Sequence, residues 1–315
     1  AEEPGDQCGD EEPAGRHVHR DLEDTAHQDA APAARWSDLD RPPLSAPALR
    51  RALTGPDGPW TSLEVTASTG STNADLVAEA RAGTAAPGSV LVAEEQTAGR
   101  GRLGRGWSAP ARSGIFLSVL LAPEPDTARW GWLPLLAGVA TAAALSRTAG
   151  VDTALKWPND LLVTVEGEER KAGGILAERV DTPDGTPAVV LGIGINVTPR
   201  ADELPVPTAG SLRQAGATAT DRDPLLRAVL RSLAEWYGAW TETDGDACEA
   251  GVQAAYVAGC ATLGRPVAAL LPGGRELHGD ATALDGDGRL VITDADGRRH
   301  AVGAGDIVHL RARGD

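Results

Sequence analysis

Two lysines and a run of arginines carry most of the chemistry that can be read from this 315-residue chain. Of its 29 basic residues, only Lys156 and Lys171 are lysines. A compact ammonium on a flexible stem does things a planar guanidinium does not, so its retention at two nearby positions is informative. The arginines gather in EEQTAGRGRLGRGWSAPARSG (Glu94–Gly114), where Arg100, Arg102, Arg105 and Arg112 are interleaved with Gly99, Gly101, Gly104, Gly106 and Gly114. Guanidinium forks match phosphate and carboxylate geometry, and glycine lets backbone N–H groups come close to a ligand. The whole chain carries a net charge of −16. A positive, glycine-hinged loop on so acidic a protein reads as a lid over a small anion, not as a nonspecific nucleic-acid surface.

Three further groups join that loop. Ser71, Thr72 and Asn73 open a helix over 70–83. Thr72 and Asp75 form its capping signature, Gly83 ends it, and its start offers hydroxyls and free N–H groups to a polar ligand. Lys156, Trp157, Pro158, Asn159 and Asp160 sit in a turn between two strand-like runs, which places an ammonium, an amide and a carboxylate on one short arc. Lys171 begins a returning strand that brings it close to Asp160. PAVVLGIGINV (187–197) is an apolar strand in which Gly192 and Gly194 permit close approach and which ends at Asn196.

These groups need elements to hold them. SLEVTAS (62–68), SVLVAEEQ (89–96) and GIFLSVLLA (114–122) read as strands, and an Ala-rich buried helix ends near Gly150. GRGRLG (99–104) matches G-x-G-x-x-G, but a dinucleotide site needs a helix to open there. WSAPARSG and another strand follow instead, so that reading is rejected; no G-K-[ST] loop occurs either. Residues 199–220 read as a loop, helices follow over 223–240 and about 245–259, and from Leu263 short alternating strands with Gly-Gly and Asp-Gly turns describe a small β-barrel.

Composition bounds the rest. Three cysteines without a C-x-x-C make neither a disulfide framework nor a zinc site and fit a reducing, cytoplasmic compartment. The longest apolar run, Trp130–Leu145, falls short of the roughly 20 residues a membrane span needs. Residues 1–45 hold twelve acidic residues against four arginines and few large apolar ones, and read as a disordered tail.

From about residue 45 to 313 the chain resembles the biotin protein ligases. The resemblance rests on GSTN (70–73), EEQTAGRGRLGRGW (94–107), KWPNDLL (156–162), RKAGGILAE (170–178), GIGINV (192–197) and the GRPV…DGRLVI pattern near the C-terminus. Each is weak alone; in this order they are specific. The resemblance implies an α/β (α+β) fold: a class-II-synthetase-like mixed sheet with flanking helices over 46–262, then an SH3-like β-barrel over 263–315. It implies ATP-dependent activation of biotin as biotinyl-5′-AMP and transfer to one lysine of a biotin carboxyl carrier domain. It places Ser71, Thr72, Asn73, Gln96, Gly99, Arg100, Gly101, Arg102, Lys171 and Gly173 at biotin, with Ser71, Thr72 and Gln96 on the ureido ring. It places Arg102, Arg105, Trp107, Lys156, Asn159, Asp160 and Asn196 at ATP. Lys171, Arg102 and Asp160 are the catalytic group. Asp160 holds Mg²⁺ or orients the acceptor lysine; the residues do not separate the two roles.

Two departures from the family pattern matter. The acidic first 45 residues cannot form the DNA-binding domain that some members carry, so no DNA partner is expected, nor a membrane. The 199–215 loop lacks an aromatic residue to stack on adenine, which leaves base contacts there unassigned. A homodimer stays open. The rival readings are a lipoate ligase of the same catalytic fold and a non-catalytic anion-binding module; the arginine loop and the terminal barrel favour biotin.

Overall fold

A computed structural model of the chain describes residues 40–55, 58–303 and 305–310. The expected disorder of the acidic tail therefore lies, up to residue 39, outside the described residues. Its last residues do not fit that expectation. Arg41 is buried, donating to Glu203 Oε2 at 2.6 Å and to Thr198 Oγ1 at 3.1 Å, so folded structure starts before α1 (Ala46–Leu53).

The larger, N-terminal part is built on one mixed seven-stranded sheet. In chain order its strands are β1 (Ser62–Thr66), β2 (Ser89–Ala93), β5 (Gly114–Leu121), β6 (Ala154–Lys156), β7 (Asp160–Val165), β8 (Glu168–Asp181) and β9 (Pro187–Asn196). In space they run β1-β2-β5-β9-β8-β7-β6, parallel only at β1–β2. Between β2 and β5 the chain makes a separate small hairpin, β3 (Gly99–Arg100) with β4 (Gly106–Trp107). The glycine-rich loop holds only a three-residue 3-10 turn, Arg102–Gly104, and no α-helix opens there, in line with rejection of the dinucleotide reading.

Side chains alternate across a strand, and that alternation divides the sheet into two working faces. Val189, Leu191, Ile193 and Ile195 of β9, with Ile115, Leu117, Val119 and Leu121 of β5, enter the main core. There they meet α3 (Leu133–Ala149), α4 (Arg222–Glu242) and α5 (Val252–Gly259). Helix α3 is apolar around most of its surface because the sheet, α4 and α5 all pack on it, and only Ser146 and Arg147 near its end are exposed. The other face carries a smaller cluster, in which Leu76 and Ala80 of α2 (Thr72–Ala82) lie on Leu120, Val180, Ala188 and Val190. The rest of that face is left open beside the N-terminus of α2.

The cap of α2 is Ser71, one residue before the expected Thr72: its side chain accepts from Ala74 N–H. Gly83 closes the helix at φ 71°, in the left-handed region that glycine enters without steric cost.

The C-terminal sheet has five antiparallel strands, β10 (Pro266–Leu270), β11 (Glu276–Leu284), β12 (Leu290–Thr293), β13 (Arg299–Val302) and β14 (Asp306–His309), in the order β13-β12-β11-β10-β14. It is fastened to the seven-stranded sheet and its helices through tryptophans and one polar knot. Trp132 and Trp157 ring N–H groups donate to Gly286 and Gly288 carbonyls at 2.7 and 3.0 Å. Arg265 forks onto Glu169 at 2.7 and 2.8 Å. His309 lies between Thr262 Oγ1 (3.0 Å from Nε2) and Arg265 (3.3 Å from Nδ1). Because arginine only donates, Nδ1 accepts, and the ring is neutral with its proton on Nε2. Burial, with Lys156 and Arg265 close by, lowers the His309 pKa to about 4.

Two outcomes follow for stability. Glu94 and Arg222 form an ion pair at 2.7 Å with side chains only 9% and 4% exposed. Removing one partner of a buried pair strands the other charge, so Glu94→Ala is expected to lose about 3–5 kcal/mol in urea unfolding. For His309 the folded pKa lies below the ordinary 6.5. The unfolded chain then binds the proton first, and stability falls as pH drops from about 6.5 to about 4, by up to about 3 kcal/mol. His309→Gln, which cannot titrate, is expected to flatten that part of the profile.

Candidate active site

The open face of the sheet, α2, the β3–β4 hairpin and the C-terminal sheet enclose a cavity of about 270 Å³. Its floor is made of absent side chains. On β9, Gly192 and Gly194 face the cavity while their odd-numbered neighbours face the core. A Cβ at Gly192 would lie 2.1 Å from Asn73 Oδ1, and one at Gly194 would lie 3.2 Å from the Trp107 ring. Glycine there is what lets Asn73 and Trp107 lie flat on the sheet.

One end of the cavity is polar and uncharged. Gln96 Oε1 accepts from Thr72 N–H at 2.9 Å and lies 3.1 Å from Thr72 Oγ1. Ser118 Oγ is 2.6 Å from Asn73 Oδ1 and 2.8 Å from Thr72 Oγ1. A hydroxyl has one hydrogen; Asn73 Oδ1 can only accept, so Ser118 donates to it. The Asn73 amide N–H₂ in turn donates to Glu178 Oε2 at 2.9 Å and to Leu176 O at 3.3 Å. The Asn73 amide is thus held from both sides, while the single Thr72 hydroxyl hydrogen is free to point to Gln96 Oε1 or to Ser118 Oγ.

The other end is charged. Arg102, Arg105, Lys156 and Lys171 line the cavity there, beside the carboxylates of Asp160 and Asp306; Arg100 lies instead 3.8 Å from Glu178, at the Asn73 end, where the two charges offset each other. Lys171 Nζ meets Asp160 Oδ1 at 2.6 Å and lies 5.7 Å from the centre of the Trp107 ring. The two strands that carry the pair do not oppose these residues directly: Asp160 faces Gly174, and a bulge between Leu161 and Leu162 brings Lys171 opposite Leu162. Burial lowers the Lys156 pKa; Asp160 opposes that, and Lys171 and Arg105 add to it. Arg105 pairs with Asp306, and Arg102 donates to Gly305 O at 3.4 Å, so the loop rests on the C-terminal sheet.

Most of the residues singled out in the sequence meet in this cavity. Ser71, Thr72, Asn73, Gln96, Arg100, Gly101, Arg102, Arg105, Trp107, Lys156, Asn159, Asp160 and Lys171 all line it. Three do not. Gly173 opposes Ile195 and faces Leu161, on the core side; its neighbour Gly174 takes the cavity side. A one-residue change in register inverts the face. Gly99 is spent on the hairpin, where a Cβ would lie 2.5 Å from Trp107 O. Asn196 is buried under the following loop, donating to Gly210 O at 3.0 Å, with its Oδ1 lacking a protein partner. Sequence reasoning missed Ser118 and Glu178, which act through Asn73, and the wall formed by Leu270, Asp306, Ile307 and Val308. Nothing local marks that wall; it reaches the cavity only through packing of the two sheets.

The expected Mg²⁺ role of Asp160 does not fit this geometry. Both cavity carboxylates are already paired, with Lys171 and Arg105. Among the described residues, no three His, Cys, Asp or Glu side chains gather into a metal cage. What the arrangement suits is an elongated ligand with an uncharged donor–acceptor head and an anionic tail.

Comparison with known proteins agrees with this description. Residues 65–196 match the Biotin/lipoate A/B protein ligase family, and residues 262–310 match the Biotin protein ligase C terminal domain. The chain is 43% identical over 278 residues to a biotin–[acetyl-CoA-carboxylase] ligase of Mycobacterium tuberculosis, covering 87% of this chain and 98% of that one. It is 34% identical to the Paracoccus denitrificans protein of the same name, over 66% of this chain and 85% of the relative. Among solved structures it resembles the Aquifex aeolicus biotin protein ligase in complex with biotin and ATP, with a TM-score of 0.65, 27% identity, and coverage of 80% of this chain and 100% of that one. With its paired domains, its cavity and these relatives in agreement, the chain belongs to the biotin protein ligase family.

Proposed function

We propose that this protein joins biotin to ATP as biotinyl-5′-AMP and passes the biotinyl group to one lysine of a biotin carboxyl carrier domain, in a carboxylase of the acetyl-CoA-carboxylase type. The carrying observation is a single cavity with an amide-and-hydroxyl cluster at one end and Lys171 with Lys156, Arg102 and Arg105 at the far end. The ureido ring of biotin has both N–H donors and a carbonyl acceptor. A dithiolane ring offers neither, so the polar cluster favours biotin over lipoate. Phe116, Leu176 and the Trp107 ring give an apolar middle for an aliphatic chain.

In the first half-reaction a biotin carboxylate oxygen attacks the α-phosphorus of ATP, and the bond to pyrophosphate breaks. Charge builds on the α-phosphoryl oxygens, where preorganised cations act most strongly. Lys171 is the group assigned to the carboxylate and the α-phosphate. Its pairing with Asp160 fixes the ammonium in place before the substrates arrive. Arg102 and Arg105 sit on the hairpin that covers the tail of the ligand, and Trp107 seats that hairpin on Gly194. The nucleotide brings its own cation; none of the steps assigned here runs through a metal held by the protein. In the second half-reaction the acceptor lysine nitrogen bonds to the acyl carbon and the bond to AMP breaks. AMP leaves with the electron pair, and the surplus proton of the amine passes to Asp160. Cover by the hairpin keeps water from the mixed anhydride meanwhile.

No helix among the described residues is long and apolar enough to cross a membrane. Cys248 and Cys260 are free thiols, which supports placement in a reducing cytoplasm, where the carrier domain would be met.

Lys171→Ala is expected to slow biotin-dependent pyrophosphate release by at least about a hundredfold, near 3 kcal/mol of lost transition-state stabilisation; unchanged release rules out the assignment of Lys171. Arg102→Gly is expected to leave adenylation measurable but to loosen retention of the product. The readout is biotin appearing on bystander lysines of an added protein, and clean labelling of the carrier alone would count against a closing lid.

A further inference from the structure

A second cavity, of about 410 Å³, opens beside the first and has no part in the reaction as described so far. The two share Arg102, Trp157, Pro158, Asn159, Ile175 and Leu176. Arg102, Trp157, Pro158 and Asn159 set the junction beside Asp160, at the charged end where the acyl-phosphate would form; Leu176, whose carbonyl accepts from the Asn73 amide, borders the other end. One wall is the segment from Ala128 to Leu135; the other is Asp287, Gly288, Arg289 and Gly303 of the C-terminal sheet.

We infer that this cleft is the path by which the acceptor lysine of the carrier domain reaches the mixed anhydride. The inference rests on the ligase reading above. Three observations select this occupant. First, the hairpin that covers the ligand closes the other approach, docking Arg105 on Asp306 and Arg102 on Gly305, so the amine must come in past that hairpin. Second, the lining suits a lysine stem. Pro134, Leu135, Ile175, Leu176 and Ala177 supply apolar contact for a (CH₂)₄ chain that gains by being buried. Third, the charge along the cleft suits an incoming lysine. At its outer wall Arg289 is outnumbered by Asp285 at 2.7 Å and Asp287 at 3.1 Å, a net negative charge that attracts an ammonium. Further in, apolar walls and the Arg102 guanidinium disfavour the charged form, so the amine sheds its proton toward the junction, where attack requires the free base. The far wall is fixed beforehand by the Trp132 and Trp157 hydrogen bonds to Gly286 and Gly288. The entry of the carrier is thus shaped by both sheets at once.

Two variants plug the cleft from opposite walls without touching the first cavity. A Cβ at Gly303 meets only the Arg289 side chain, at 3.5 Å, so Gly303→Phe can point inward; Ala177 is exposed on the facing strand, so Ala177→Trp fills from there. Biotin-dependent pyrophosphate release should stay at the wild-type rate in both. Transfer from preformed adenylate to an apo carrier domain should slow by at least about tenfold, with a raised KM for the carrier. Wild-type transfer in both variants overturns the inference. Should either variant misfold, amide hydrogen exchange on the wild-type enzyme with adenylate bound decides. A carrier domain whose acceptor lysine is replaced by arginine should protect 127–131 and 286–289. Protection confined to other surfaces, or protection of these segments by ATP alone without the carrier, overturns it. Failure of the wild type to release pyrophosphate with biotin is a different result, and refutes the ligase reading itself.

Discussion

Five cations share one small cavity, and the ion pair between Lys171 and Asp160 lets them do so. Without that carboxylate, Lys156, Lys171 and the loop arginines would repel one another in a half-buried space where screening by water is weak. With it, one ammonium is held at a fixed point and the remaining positive potential is left for a ligand. The overall charge of −16 sharpens the effect: anions are turned away from most of the surface and drawn to this spot. The depressed Lys156 pKa, owed first to burial and then to its cationic neighbours, is a direct sign of the crowding.

The C-terminal sheet is part of that arrangement and more than an appendage. Asp306 takes the Arg105 guanidinium, Gly305 receives Arg102, and Gly288 receives the Trp157 ring N–H of the Lys156–Asp160 turn. Thr262 accepts from the Trp157 backbone N–H at 3.0 Å and contacts His309. Loop, turn and terminal sheet thus hold one another, and a disturbance in the small sheet will be felt at the cationic end of the cavity before the end lined by Thr72, Asn73 and Gln96. The uncharged end depends on a different set, Ser118, Asn73 and Glu178, which belong to the large sheet and α2.

Much of this was legible beforehand, because it depends on local rules. Strands with period-2 burial, a helix between a hydroxyl cap and a left-handed glycine, and Asp-Gly hairpins each follow from a few adjacent residues. The errors are just as local in origin. Thr72 and Ser71 are both good caps, and only the packing of α2 on Ser118 commits Thr72 elsewhere. Gly173 and Gly174 are adjacent and alike in sequence; the pairing of Gly174 with Gly194 decides which one faces the cavity. The stretch 40–45 looks like the end of an acidic tail, yet Arg41 is buried on Thr198 and Glu203, and Glu94 accepts from Leu44 N–H at 2.6 Å.

By itself the sequence determined the chemistry: which side chains are present, that the two lysines and the arginine run are kept apart from an acidic background, and that their spacing is that of biotin protein ligases. Side-chain type and short-range periodicity are properties of the chain, so they survive without coordinates. Tertiary structure alone decided which face each glycine opens, which carboxylate holds which cation, and that residues 270 and 306–308 complete a wall begun near residue 71. Those are outcomes of strand register and sheet-on-sheet packing. Both are set by summed contacts among residues far apart in the chain, and no short window of sequence carries them.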